Sequence, residues 1–289
     1  MLDLSMSKFL IGIIGIVAVA AGSGDYAQSI RQWQHHREEG LRKPDSWLTL
    51  VGLFWLKAGD NSIGSAEGND FVLPKGSSPE HVGKLTLSGG QVRFTPQGGT
   101  ARVLRINEDN PDIVQAGSAS FYVIKRGDQF AVRAKDSESP VLKNFGGLKF
   151  FPINPALHFE AHFVPEAKKI PILNILGQTE SQESPGTVEF SYEGKQYHLR
   201  PIFEGKTLFF LFKDATNRSA TYQAGRMLNT PLPANGKVDL DFNRAYNPPC
   251  TFTPYATCPL PPRENALPFP VTAGELRYGN GHPEFTAKR

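Results

Sequence analysis

Charge of either sign is in short supply: Lys plus Arg number 31 and Asp plus Glu 28 among 289 residues, for a formal net charge of +3. With no Lys/Arg cluster, that balance excludes the electrostatic footprint of a nucleic-acid binder. Cysteine is scarcer still, with Cys250 and Cys258 the only two. There is no Cys-x-x-Cys pair, Gly-x-Ser-x-Gly elbow, Asp-rich calcium loop or Gly-rich phosphate loop, and the seven histidines fall in no partner spacing. The sequence therefore carries no ready-made metal, nucleophile or nucleotide motif, and implies no cofactor. It also lacks sustained repeats, low-complexity tracts and, after Gly40, any long amphipathic helical pattern.

One unbroken apolar run is present, from Phe9 to Ala21, preceded by Lys8. It is shorter than the roughly 20 residues a membrane span needs. It ends in Ala18-Val19-Ala20, the small-x-small form of a signal-peptidase site. Residues 1–20 are thus expected to be a signal peptide. The mature chain would be periplasmic or secreted, with no transmembrane segment left after cleavage. No cysteine follows the run, which excludes a lipid anchor on an N-terminal cysteine. An even cysteine count in an oxidising compartment predicts a Cys250–Cys258 disulfide. Such a loop closure would stabilise by about 2–3 kcal/mol, and less where prolines already stiffen the unfolded chain.

The segment Tyr26–Glu39 predicts a helix, with Ile30, Trp33 and Arg37 on one face and Gly40 as C-cap. The remainder predicts short strands between Gly, Pro, Asn and Asp turns, in keeping with 28 glycines and 23 prolines. Expected strands cover 49–56, 84–87, 91–95, 101–106, 120–125 and 129–134, then 157–164, 186–192, 196–203, 206–213 and 237–242. Gly89-Gly90, Arg126-Gly127-Asp128 and Glu193-Gly194-Lys195 read as hairpin turns. The polar stretch Asp136–Pro140 marks a boundary between residues 26–135 and 136–289. The expected fold is mainly β: an N-terminal helix followed by two β-sandwich or barrel-like modules.

Two local patterns invite a functional reading. Along 157–164, period two places His158, Glu160 and His162 on one face, a donor set that suits zinc or copper. Leu157, Phe159, Ala161 and Phe163 form the opposite, apolar face, as in any half-buried strand, and residues two apart converge on one ion only if the strand bends. No metal site is therefore assigned. Farther on, the irregular, proline-rich segment 248–262 follows an alternating strand and holds both cysteines. A long irregular stretch inside a compact domain is either functional or disordered, and Phe252, Tyr255 and the expected crosslink argue against disorder.

Residues 56–65 (LKAGDNSIGS), Asn69–Pro74 and Ser78–His81 resemble the opening of a forkhead-associated, phosphothreonine-binding β-sandwich. In that family an Arg follows the glycine and clamps phosphate. Ser65 stands there instead, so the resemblance implies the shape without phosphopeptide recognition. A second resemblance is more specific. Phe145–Pro152, Phe212–Thr216, Thr221–Arg226, Asp241–Cys250, Cys258–Asn265 and Ala273–Glu275, in this order, resemble the bacterial and archaeal family of unknown function DUF1684. It spans most of residues 118–280 and implies a shared fold but no chemistry.

Those motifs concentrate polar groups beyond what a sheet needs: Asp214, Arg226, Asp241, Asn243, Tyr246 and Glu275. A binding reading gathers them into a pocket, with Arg226 holding an anionic group and Asp241 or Glu275 acting as acid or base. A structural reading has them cap irregular backbone, with Arg226 paired to Asp214 or Asp241. The favoured function is non-catalytic binding of a small molecule or an envelope protein. The alternatives are a hydrolase-type enzyme using Asp241, Glu275 and Arg226, and a structural envelope component.

Overall fold

The computed structural model describes residues 17–107 and 110–279. Most of the expected signal peptide, including the start of its apolar run, lies outside the described residues. The first element is helix α1 (Val17–Leu41), which runs through Gly40 rather than capping there. Its inward face repeats at helical spacing through Tyr26, Ile30, Trp33, Arg37 and Leu41, with Ile30 and Leu41 buried. Trp33 meets Phe150 edge-on at 6.5 Å, and Glu38 accepts the Leu148 amide at 2.6 Å. First in sequence, α1 thus docks on the C-terminal half. No helix among the described residues is long and apolar enough to cross a membrane.

Nine strands follow: β1 (Leu50–Trp55), β2 (Gly59–Gly64), β3 (Phe71–Val72), β4 (Gly83–Ser88), β5 (Gln91–Pro96), β6 (Arg102–Val103), β7 (Val114–Ala116), β8 (Ala119–Arg126) and β9 (Gln129–Asp136). They pair as two open sheets, in the orders β1-β9-β8-β7 and β3-β2-β4-β5-β6. Ile63, Leu85, Val92 and Phe94 of one sheet pack on Phe121, Val123, Val132 and Ala134 of the other. Alternation along each strand makes this sandwich core. Gly89 and Gly90, at φ 56° and 74°, close the β4–β5 hairpin with the positive dihedrals a two-residue turn requires.

The expected linker is tied down. Ser139 caps the short helix α2 (Pro140–Lys143) by accepting the Leu142 amide, and its hydroxyl donates to the Leu48 carbonyl at 2.6 Å.

The C-terminal half adds β10 (His158–Leu173), β11 (Thr179–Tyr192), β12 (Lys195–Leu199), β13 (Ile202–Glu204), β14 (Thr207–Phe212), β15 (Arg226–Pro231) and β16 (Lys237–Asp241). Their sheets, β12-β11-β10-β16 and β13-β14-β15, are also open. The fold is mainly β, and the barrel form of the expectation gives way to sandwiches. Between the sheets, Val188, Phe190 and Leu240 pack against Phe210, Phe212 and Leu228. Each such burial contributes about 1.5–3 kcal/mol. On β10, Ala161 is buried while His158 and Glu160 face out. Those two are used locally: His158 pairs with Asp239 and stacks on Tyr26, and Glu160 pairs with Lys237. Strands β2 and β15 go beyond the sequence expectation. One begins with a polar Gly-Asp-Asn and the other with a charged Arg, so neither shows an apolar run.

Candidate functional site

The six polar residues singled out by sequence form three buried networks. In the first, Arg226 and Asp214 are ion-paired at 2.9 Å with neither side chain exposed. Period two along β15 sends Arg226 and Leu228 into the sandwich core, where the guanidinium lies 5.2 Å above the Phe212 ring. Arg226 also donates to the carbonyls of Val271 and Ala273. Asp214 accepts the Thr216 amide and hydroxyl and the Val271 amide. Burial pulls the Arg226 guanidinium down from its ordinary value, and Asp214 opposes that shift. The pair locks segment 271–273 over the core.

The second network joins the end of β16 to α1. Asp241 accepts the Tyr26 hydroxyl at 2.9 Å and the Asn243 amide at 3.0 Å. Asn243 donates to Tyr26 and to the Asn154 carbonyl, and its side-chain oxygen takes the Asn154 amide at 2.7 Å. Burial first, then the adjacent carboxylate, raises the Tyr26 phenol well above its ordinary value. In the third network the fully buried Glu275 accepts Arg37 Nε and the Asn247 amide, both at 2.8 Å. Gly274, at φ 78°, makes this possible, because a Cβ there would collide with the Ala245 carbonyl. Arg37 stacks 4.8 Å over the Tyr246 ring.

Cys250 and Cys258 are buried free thiols. They hydrogen-bond to each other, and Cys258 Sγ accepts the Cys250 amide at 3.1 Å. The expected disulfide is absent from the structure. Segment 248–262 is fixed without it, because its backbone finds partners on the C-terminal half and its side chains on the N-terminal half. Ile175 donates to the Cys258 carbonyl, the Leu260 amide donates to Leu173, and the Thr253 hydroxyl reaches Leu50 of the N-terminal sandwich. Burial pushes the Cys258 thiol up, and the hydrogen bond from Cys258 lowers Cys250.

Where that segment crosses to the N-terminal sheet, a cavity of about 380 Å³ opens, within the range of small-molecule sites. Of the six residues only Tyr246 lines it; paired main-chain bonds with Met227 hold Tyr246 there. Phe209, Met227 and Trp47 give the cavity an apolar surface. The Trp47 turn is fixed by Ser46, whose hydroxyl accepts the Leu48 amide.

The distinctive member of the wall is Arg133. On β9, Val132 and Ala134 face the sandwich core, so Arg133 faces away from it, opposite Tyr122 of β8. Its guanidinium lies 5.3 Å from the Trp47 ring and 5.9 Å from that of Tyr122. It donates to the Thr257 hydroxyl at 3.2 Å and contacts the Tyr122 hydroxyl at 3.4 Å. Arg133 is only 5% exposed, yet no carboxylate pairs with it among the described residues, and its Nε has no acceptor. Arg126 reaches the same Thr257 hydroxyl at 3.2 Å, and Arg37 presents its free edge from the third network. A second cavity of about 670 Å³, lined by Tyr122 and Ile124, shares Trp47 and Arg133 with the first.

Sequence reasoning passed over Arg133 and Arg37 as parts of this wall. The signal for Arg133 was a charge inside the otherwise apolar run Ala131-Val-Arg-Ala134. Sequence alone does not show that Trp47 and segment 253–258 close over it.

Residues 143–276 match the family model described as a protein of unknown function (DUF1684). The match begins at the α2 turn, later than the sequence resemblance placed it. A solution NMR structure of an uncharacterized protein from Haloarcula marismortui is 30% identical. It covers 46% of this chain and 78% of that one, with a TM-score of 0.39. No curated protein matches.

Proposed function

We propose that this chain is an exported binding protein for a small anionic ligand, seated in the cavity between its two sandwiches. The carrying observation is Arg133, a guanidinium withdrawn from water that pairs with no carboxylate among the described residues. Burying a charge without a counter-ion is costly, and a guanidinium fork suits carboxylate or phosphate. Arg37 Nη1, which takes no acceptor among the described residues, lines the same cavity. Asp241, Glu275 and Arg226 are bound up in separate networks and none lines that cavity, so the reading is of binding rather than hydrolysis. Calorimetric titration with acetate, benzoate and inorganic phosphate tests it. At least one anion should bind saturably to wild type and to Arg133→Lys, and at least tenfold more weakly to Arg133→Gln. Equal binding by all three proteins would place the anion elsewhere.

Export is supported by the run from Phe9 to Ala21 with its Ala18-Val19-Ala20 site. N-terminal sequencing of the exported fraction should begin just after Ala20 or Ala21, and an intact Met1 or Met6 in a cytoplasmic product would refute it. The forkhead-associated-like reading of the N-terminal sandwich remains a matter of shape, without phosphothreonine selection. Ser65 spends its hydroxyl on the Ser78 carbonyl and its amide on Pro79, leaving no guanidinium to clamp phosphate. Micromolar, phosphate-dependent capture of phosphopeptides would overturn that.

A further inference from the structure

The cavity wall carries a second charge, of opposite sign, that forms no ion pair among the described residues. Glu204, the exposed last residue of β13, lines the same wall as Arg133 and Arg37 and also the adjoining cavity. It accepts Asn229 Nδ2 at 2.6 Å, and Asn229 in turn accepts the Tyr246 hydroxyl. Its carboxylate is therefore steered toward the cavity side of Tyr246. Glu204 forms no ion pair among the described residues, although several arginines line the same wall. Tyr246 feels both charges: burial is the main cause that raises its phenol, Glu204 adds to the rise, and Arg37 opposes it.

A cation and an anion that face one small cavity without pairing complement a ligand bearing both charges. A simple anion would leave Glu204 repelling it. A simple cation would leave Arg133 uncompensated. Resting on the anion-binding reading above, we propose that the ligand is zwitterionic: an amino acid or short peptide with an apolar side chain. Its carboxylate lies at Arg133 and Arg37, and its ammonium at Glu204. Its side chain packs on Trp47, Phe209 and Met227. A volume of about 380 Å³ suits a molecule of that size.

The test compares ligands that differ only in the amino group. L-phenylalanine is titrated beside 3-phenylpropanoate, and L-phenylalanylglycine beside 3-phenylpropanoylglycine, into wild type, Glu204→Gln and Arg133→Gln. At least one zwitterion should bind wild type tenfold or more tightly than its deaminated partner. Glu204→Gln should erase that preference by weakening the zwitterion and, with the repulsion removed, by binding the deaminated acid at least as tightly as wild type does, since Gln keeps the Asn229 contact. Arg133→Gln should weaken both members of the pair. Equal binding of a zwitterion and its deaminated partner, lost in Arg133→Gln, would overturn the zwitterion and leave the anion reading standing. Failure of all four to bind would overturn the zwitterion, and failure of acetate, benzoate and phosphate as well would overturn the anion reading.

Discussion

Arg226 and Arg133 are both nearly out of water, and they differ in what neutralises them. Asp214 meets Arg226 at 2.9 Å, and two carbonyls accept from its Nη1 and Nη2, although its Nε, like that of Arg133, has no acceptor among the described residues. Removing one partner of such a buried pair costs about 3–5 kcal/mol, because the other charge is left stranded. Asp214→Ala should therefore lower the unfolding free energy by about that amount in a urea titration. A loss under 1 kcal/mol would mean that the pair is not buried as described. The pairing of Arg226 with an acid was legible in the sequence, where Asp214 and Arg226 stood together as polar residues in motifs rich in aromatics and glycines. Arg133 stood in no motif. Its isolation depends on no acid among the described residues pairing with it in three dimensions, which no local pattern records.

At the scale of elements, α1 is held by a few long-range polar bonds as well as by its apolar face. Tyr26 reaches Asp241 and Asn243, and Arg37 reaches Glu275. Tyr26→Phe keeps the ring over His158 but leaves buried acceptor capacity unmet, which costs about 1–3 kcal/mol. Hydrogen exchange should then quicken along α1 first, since local opening needs less energy than global unfolding. Uniform quickening across both sandwiches would contradict a local latch. The helix and the alternating strands were readable because burial follows their periods of 3.6 and 2. The docking partner of α1 was not readable, since its bonds span more than 200 residues of sequence. The same holds for segment 248–262, where close spacing suggested a disulfide and the fold supplied main-chain partners instead.

Across the whole molecule, three phenols gathered around these junctions set an alkaline limit. Burial is the leading cause that lifts Tyr26, Tyr222 and Tyr246 above the ordinary value of 10.0. A group whose folded value is raised contributes stability that is fully present below its unfolded value and is lost as pH rises toward the folded one. Stability should be flat in these groups up to about pH 10 and fall above it. Tyrosinate absorbance should appear together with unfolding rather than before it. Titration of all eight tyrosines in the folded protein near pH 10 would contradict their burial.

The same scale holds the central claim, that two sandwiches meet around an uncompensated guanidinium poised for an anion. Its most direct test is nuclear magnetic resonance of the protein labelled at arginine Nε, with the Arg133 signal identified by its loss in Arg133→Lys. Titrated with benzoate and with L-phenylalanine, the Arg133 Nε–H resonance should move saturably with at least one of them, while Arg226, sealed by Asp214, stays still. An Arg133 resonance that never moves, or that drifts without saturating alongside the surface arginines, would contradict the account.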